Sequence, residues 1–183
     1  MKSGDNRMKK AAAHGKPSHV KHKEGAPTSI GCMVITCSDT RTEADDRSGA
    51  LIRDLLKSRD HRLTGSAVVP DDPAAITAAI ERAAADPATQ AIILTGGTGL
   101  SRRDSTFEAI DRLLEKRIDG FGELFRWLSF QEIGPPAMLS RATAGLYRGK
   151  AIFSIPGSEG AVRLAMERLI LPELGHVVWL AGR

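Results

Sequence analysis

Short runs of apolar, β-branched residues alternate with longer stretches whose apolar positions recur every three or four residues. Ile30 to Cys37 is one such run and predicts a strand buried on both faces. Leu51, Ile52, Leu55 and Leu56 then form a helical stripe, predicting a helix from about Asp46–Ser48 to Ser58. Residues 63–69 predict a second strand, and Pro70-Asp71-Asp72-Pro73 turns into a second helix. Asp72 suits the N-cap, Pro73 the first helical position, and Ile76, Ile80 and Ala83 the core face. Ala91 to Leu94 predicts a third strand. The helix after it is expected to start near Ser105, with Glu108 at capping-box spacing and Phe107, Ile110 and Leu114 along one side.

Beyond residue 118 the pattern is mixed. A short helix is predicted around Leu124, Trp127 and Leu128, broken by Gly134-Pro135-Pro136. A helical piece is predicted from Met138 to Leu146, then a strand from Ala151 to Ile155, then a last helix over about 160–171. Strands alternating with helices through short loops predict an α/β fold. It is a three-layer sandwich, with a mostly parallel sheet and helices on both faces.

The chain has 183 residues, which suits a single domain with a tail. Residues 1–27 hold seven Lys or Arg against Asp5 and Glu24, with almost no apolar residues. They are expected to form a disordered basic tail ahead of one domain over 28–183. The tail carries +5 and the whole chain +4, so the body is −1. The basic balance therefore belongs to the tail, and the body gives no nucleic-acid signal. His14, His19 and His22 in the tail match no structural zinc spacing. No apolar run approaches the roughly 20 residues that span a bilayer, so no membrane partner is expected. No secretory signal is recognisable at the start. Cys32 and Cys37 lie five apart in one predicted strand and point to opposite faces. They read as core thiols of a reducing compartment, which predicts a cytoplasmic protein.

The chemistry concentrates at Thr95-Gly96-Gly97-Thr98-Gly99, followed by Asp104. The glycines sit between the carboxyl end of a strand and the amino end of a helix, where ligands bind in open α/β sheets. Lacking Cβ atoms, they let an anion approach backbone N–H groups. The pattern is neither a Walker A loop nor a G-x-G-x-x-G fingerprint. In a parallel sheet the Ser38-Asp39, Pro70-Asp71, Thr95–Asp104 and Pro156-Gly157-Ser158 loops converge on one edge. Together they offer backbone donors, hydroxyls and three carboxylates, Asp39, Asp71 and Asp104. Each could alone be ordinary turn chemistry. Jointly they point to phosphoryl or nucleotidyl transfer, with Asp71 and Asp104 as candidate Mg²⁺ ligands. Arg102, Arg103, Arg126 and Arg141 are candidate phosphate contacts. In the body only His61 and His176 remain, both away from that edge, which disfavours histidine-based catalysis.

Six segments in order resemble the MogA/MoaB family of molybdenum-cofactor biosynthesis proteins, which is similar to the gephyrin G domain and plant Cnx proteins. They are Ser38-Asp39 with Asp46-x-Ser48-Gly49, Pro70-Asp71, Leu94 to Gly99 with Arg103-Asp104 and Thr106, Gly120 to Glu123, Ser140-Arg141 with Ala144-Gly145, and Ile155 to Ser158. Leu128 to Gly134 and Leu171 to His176 look more like the MoaB branch. The resemblance covers residues 30–175 and implies a molybdopterin-binding fold. It also implies adenylylation of molybdopterin with ATP as co-substrate and Mg²⁺ as cofactor. Asp71 and Asp104 would then be the catalytic and metal-binding aspartates. Gly96, Gly97, Thr98 and Gly99 would cradle phosphate. Ser38, Asp39, Thr106, Glu123, Ser140, Arg141, Pro156, Gly157 and Ser158 would surround the ligand. The family resemblance further implies a homo-oligomer, trimer or hexamer. Two alternatives stand beside it: a non-catalytic molybdopterin-binding or scaffold protein, and a nucleotide-binding regulator whose basic tail contacts a partner.

Overall fold

A computed structural model describes residues 25–97, 99–100 and 106–183. Thr98, Asp104, Arg102, Arg103, the expected cap Ser105, and the tail histidines lie outside the described residues.

The centre is a six-stranded sheet in the order β2-β1-β3-β6-β5-β4. β1 (Gly31–Cys37), β2 (Arg62–Val69), β3 (Ala91–Thr95) and β6 (Lys150–Ile155) run parallel. β5 (Thr143–Tyr147) and the two-residue β4 (Lys116–Arg117) are antiparallel to their neighbours. The helices are α1 (Arg47–Lys57), α2 (Pro73–Ala85), α3 (Thr106–Leu113), α4 (Asp119–Ile133), α5 (Glu159–Ala165) and α6 (Leu171–Ala181).

Strand alternation sorts the core into two halves. Cys32, Val34, Ala91, Ile93, Ala151 and Phe153 face α1, α4, α5 and α6, against Ile52, Leu56, Phe125, Val162 and Leu174. Ile35, Cys37, Ile92, Leu94 and Ile152 face α2 and α3, against Ile76, Ile80 and Ile110. Helices on both faces make the three-layer α/β sandwich that the alternation predicted. The two cysteines sit in opposite halves, both buried and free, as their spacing required. Ile52 and Leu56 are wholly buried from α1, each contributing roughly 1.5–3 kcal/mol of hydrophobic stabilisation.

Caps explain the helix starts. The Asp72 side chain accepts from the N–H groups of Ala74 and Ala75, and Pro73, with no N–H, needs no acceptor. The Asp46 side chain accepts from Gly49 N–H at 2.9 Å. Its other oxygen accepts from Thr36 Oγ1 at 2.8 Å, inside the core.

Two expectations fail. Met138 to Leu146 is not helical. Pro135–Leu139 makes one 3-10 turn, and Thr143–Tyr147 is β5, hydrogen-bonded to β4 on one side and β6 on the other. A run of Thr, Ala, Gly, Leu and Tyr carries no decisive period, so sheet pairing decides its state. The final helix also continues past 171. A π-helical segment, Met166–Ile170, leads into α6, and Pro172 follows it. Pro172 has no N–H to donate into an α-helical ladder, and the wider turn before it accommodates that loss.

β1 has β2 on one side and β3 on the other, so the chain reverses its winding direction at β1. That switch opens a crevice beyond the carboxyl ends of β1 and β3.

Candidate functional site

The crevice is a cleft of about 560 Å³. Ser38 and Cys37 come from the end of β1, Gly96, Gly97 and Gly99 from the loop after β3, and Pro156, Gly157 and Ser158 from the end of β6. Leu139 and Ser140 close one side from the 3-10 turn. Eight of the expected ligand-binding positions therefore converge on one cavity.

Gly96 has φ +104° and Gly97 φ +57°, which L side chains seldom adopt. Space enforces the choice as well. A Cβ on Gly96 would lie 2.2 Å from the Cys37 carbonyl oxygen. A Cβ on Gly97 would lie 2.0 Å from Thr106 Oγ1 and 2.4 Å from Asp71 Oδ2. The glycine turn thus lies directly against an aspartate carboxylate, with nothing between them. Gly96 N–H donates to the Ile155 carbonyl at 3.2 Å, and Thr95 Oγ1 to the Pro156 carbonyl at 3.2 Å. These bonds tie the glycine loop to the β6 loop.

Asp71 is fixed from two directions. Thr106, wholly buried at the start of α3, donates its hydroxyl to Asp71 Oδ1 at 3.0 Å. Asp71 N–H donates to Asp39 Oδ1 at 3.0 Å. Thr106 and Asp39 were expected beside the ligand. The structure bonds both to Asp71, Thr106 to its side chain and Asp39 to its backbone. Asp39 lines an adjoining cavity of about 510 Å³ together with Ser38 and Arg41.

Glu123 and Arg141 line a neighbouring cavity of about 370 Å³, with Arg126 and Arg117. Ser140 lines both cavities. Arg141 bonds the Glu108 carboxylate and the Gly99 carbonyl, and its guanidinium lies 5.0 Å from the centre of the Phe107 ring. The Arg141 bond holds the Glu108 carboxyl below the usual carboxylate range. Arg141 therefore clamps the end of the glycine loop to α3.

The two body histidines lie elsewhere. His61 Nδ1 accepts from Ile30 N–H at 3.2 Å at the amino end of β1, and burial pushes its pKa down. His176 pairs with Glu173 on α6 at 3.1 Å. The Cys37 thiol borders the cleft, but burial pushes its pKa up to about 12, so it stays protonated.

Among the described residues no group of three or more His, Cys, Asp or Glu could hold a metal ion. A cation that takes one or two protein carboxylates and fills its other positions with phosphate oxygens and water fits better. Asp71, aimed at a glycine cradle that a Cβ would fill, suits that binding style.

Residues 33–176 match the family described as a probable molybdopterin binding domain. The molybdenum cofactor biosynthesis protein B of Halalkalibacterium halodurans is 53% identical over 158 residues, covering 86% of this chain and 93% of its own length. This chain belongs to that molybdenum cofactor biosynthesis family. The protein B of Bacillus subtilis (strain 168) is 48% identical over 86% of the chain. A crystal structure of a molybdenum cofactor biosynthesis protein B superposes with TM-score 0.83 at 48% identity, covering 85% of this chain and 98% of that one. The tungsten cofactor synthesizing protein MoaB of Pyrococcus furiosus superposes with TM-score 0.75 at 38% identity, covering 86% of this chain and all of its own. The MoaB-like character of the 128–134 and 171–176 segments agrees with these relatives.

Sequence reasoning missed several residues of this region, Cys37 and Thr40 on the cleft lining among them. Arg41 lines the cleft, Ser48 lies buried beneath it, and Leu139 walls it. Ser48 stood inside a recognised motif, Asp46-x-Ser48-Gly49, but only the fold shows what it touches.

Proposed function

We propose that this chain adenylylates molybdopterin with ATP and Mg²⁺, giving adenylylated molybdopterin and pyrophosphate. What carries the reading is the Asp71 carboxylate held by Thr106 against the Gly96-Gly97 floor. Such a transfer needs phosphates aligned and their charge neutralised, with little covalent help from the protein.

A terminal phosphate oxygen of the pterin forms the new bond to the α-phosphorus of ATP. The bond from that phosphorus to the bridging oxygen breaks, and pyrophosphate leaves with the electron pair. The attacking oxygen is already anionic and needs no base, in keeping with a described cleft lining that holds no histidine. The glycine turn, with no Cβ atoms in the way, would let phosphate oxygens approach its backbone. Bound Mg²⁺, taken by Asp71 and Asp104, would neutralise charge on the transferring phosphates. Ser38, Ser140 and Ser158 supply hydroxyls around the pterin. The neighbouring cavity, with Arg126 and Glu123, gives the bound pair a second compartment.

We further propose that the chain assembles as a homo-oligomer. The support is an apolar surface of Leu124, Trp127, Phe130, Ile133, Met138 and Leu139, each more than half exposed along α4 and the turn after it.

A single-turnover assay with molybdopterin, ATP and Mg²⁺ tests the reaction. Wild type is expected to form adenylylated product, and Asp71→Asn and Asp104→Ala to lose it. Pterin binding without product from wild type would select the non-catalytic binding role instead.

A further inference from the structure

Arg41 is the one charged side chain among the described residues lining the main cleft. Everything else there is backbone, hydroxyl, thiol or apolar. Its position is built rather than incidental. Ser38 Oγ accepts from the N–H groups of Thr40 and Arg41 at 3.3 and 3.2 Å, folding the loop back over the end of β1. The Arg41 Nη1 then donates to Ser48 Oγ at 3.1 Å.

Ser48 is wholly buried and spends its own proton on the Gly157 carbonyl, at 2.7 Å. Its neighbour Asp46 is anchored in the core by Thr36 and Gly49 N–H. Gly157 in turn packs against Gly96, since a Cβ on it would lie 3.2 Å from Gly96 Cα. One chain of contacts therefore runs from the Arg41 guanidinium through Ser48 and Gly157 to the glycine floor.

A guanidinium has five N–H donors in a planar fork, matched to oxyanions. Ser48 occupies one of them, and no carboxylate of the described residues comes within ion-pair distance. A cation with no carboxylate partner among the described residues, set at the rim of a cleft floored by glycines, has its complement in a phosphate.

We infer that Arg41 is the anion anchor of the cleft, taking a phosphate oxygen of the phosphorylated ligand, and that Ser48 is its positioning residue. This rests on the cleft being a phosphate-ligand site, and it adds the cation that fixes the ligand there. Arg41 binds, and Ser48 acts only through it.

The test is calorimetric titration of the full chain with inorganic pyrophosphate, which needs no turnover. Arg41→Ala is expected to weaken binding by roughly tenfold or more and to flatten its salt dependence. Arg41→Lys should recover only part of the affinity, because an ammonium cannot bond Ser48 and a phosphate as a fork does. Ser48→Ala should give an intermediate loss, and adding it to Arg41→Ala should cost nothing further. Arg41 is exposed, so its variants are expected to melt with the wild type, which separates binding from folding. Wild-type affinity in Arg41→Ala, or no pyrophosphate binding by wild type at millimolar concentration, would overturn the inference. Additive losses would overturn the role of Ser48. Arg41-dependent pyrophosphate binding without adenylylated product would sink the proposed reaction and leave this inference standing. Adenylylated product with Arg41-independent binding would do the reverse.

Discussion

Thr106 Oγ1 donates to Asp71 Oδ1 at 3.0 Å, across a gap that exists only because residue 97 has no side chain. The two residues stand at the ends of different loops, and Thr106 is wholly buried while Asp71 is half-exposed. The hydroxyl is a support for a carboxylate that the proposed reaction uses.

Thr106→Val should remove the Thr106 hydroxyl from that carboxylate. We expect turnover to fall by roughly ten- to hundredfold, since small misplacements cost that much, and stability to fall by about 1–2 kcal/mol. Thr106→Ser should keep most of both. Single-turnover rates beside urea denaturation of the three proteins check this. An unchanged rate in the valine variant would show that Asp71 needs no such support.

Gly97→Ala should be more damaging than any substitution of a hydroxyl around the cleft. The added methyl would meet Thr106 Oγ1 and Asp71 Oδ2, at a backbone angle costly for alanine. The expectation is loss of product together with a stability cost of about 1–3 kcal/mol. Rates and melting curves of the variant read both.

Asp46→Ala should be strongly destabilising without touching the ligand. The carboxylate is 3% exposed, caps α1 through Gly49 N–H, and accepts from Thr36. Arg53 stands 3.7 Å away. Removing it leaves a buried hydroxyl and a helix N–H unmet, a cost of roughly 2–4 kcal/mol. Equilibrium urea unfolding measures it, and a loss below half a kcal/mol would contradict the account.

Alkaline pH should weaken the fold through its two thiols. Burial raises both Cys32 and Cys37 from 9.0 to about 12. Below pH 9 both states keep the protons and the thiols' contribution is intact. Between about pH 9 and 12 the unfolded chain releases them and the folded one does not. Stability should then fall by about 1.4 kcal/mol per pH unit for each thiol. Unfolding curves between pH 8 and 10.5 would show this, and Cys37→Ala should reduce the slope. An identical slope in that variant would count against it.

Trp127→Glu and Ile133→Glu should lower the assembly mass. Both side chains are 58% exposed on α4, and a charge there opposes burial against another copy. Light scattering after size exclusion decides. Unchanged mass in both variants would place the assembly face elsewhere.

The sequence by itself determined the frame. Short apolar, β-branched runs located β1, β3 and β6, residues 63–69 gave β2, and helical-period stripes located α1 and α2, because such patterns leave little choice of state. The Asp72 cap was legible for the same local reason. The parallel strands placed Ser38, Gly96, Gly97 and Pro156 to Ser158 together, since their carboxyl ends share one edge, and the family resemblance added Ser140. Tertiary structure decided what local pattern leaves open. Thr143–Tyr147 became a strand because β4 and β6 flank it. Thr106 and Asp39 turned out to bond to Asp71, a relation across 35 and 32 positions that spacing does not encode. Arg41 acquired its place only when Ser48, seven positions on, was buried against Gly157, 109 positions further along. A hydrogen bond over that separation depends on packing, and packing is set by the whole fold at once.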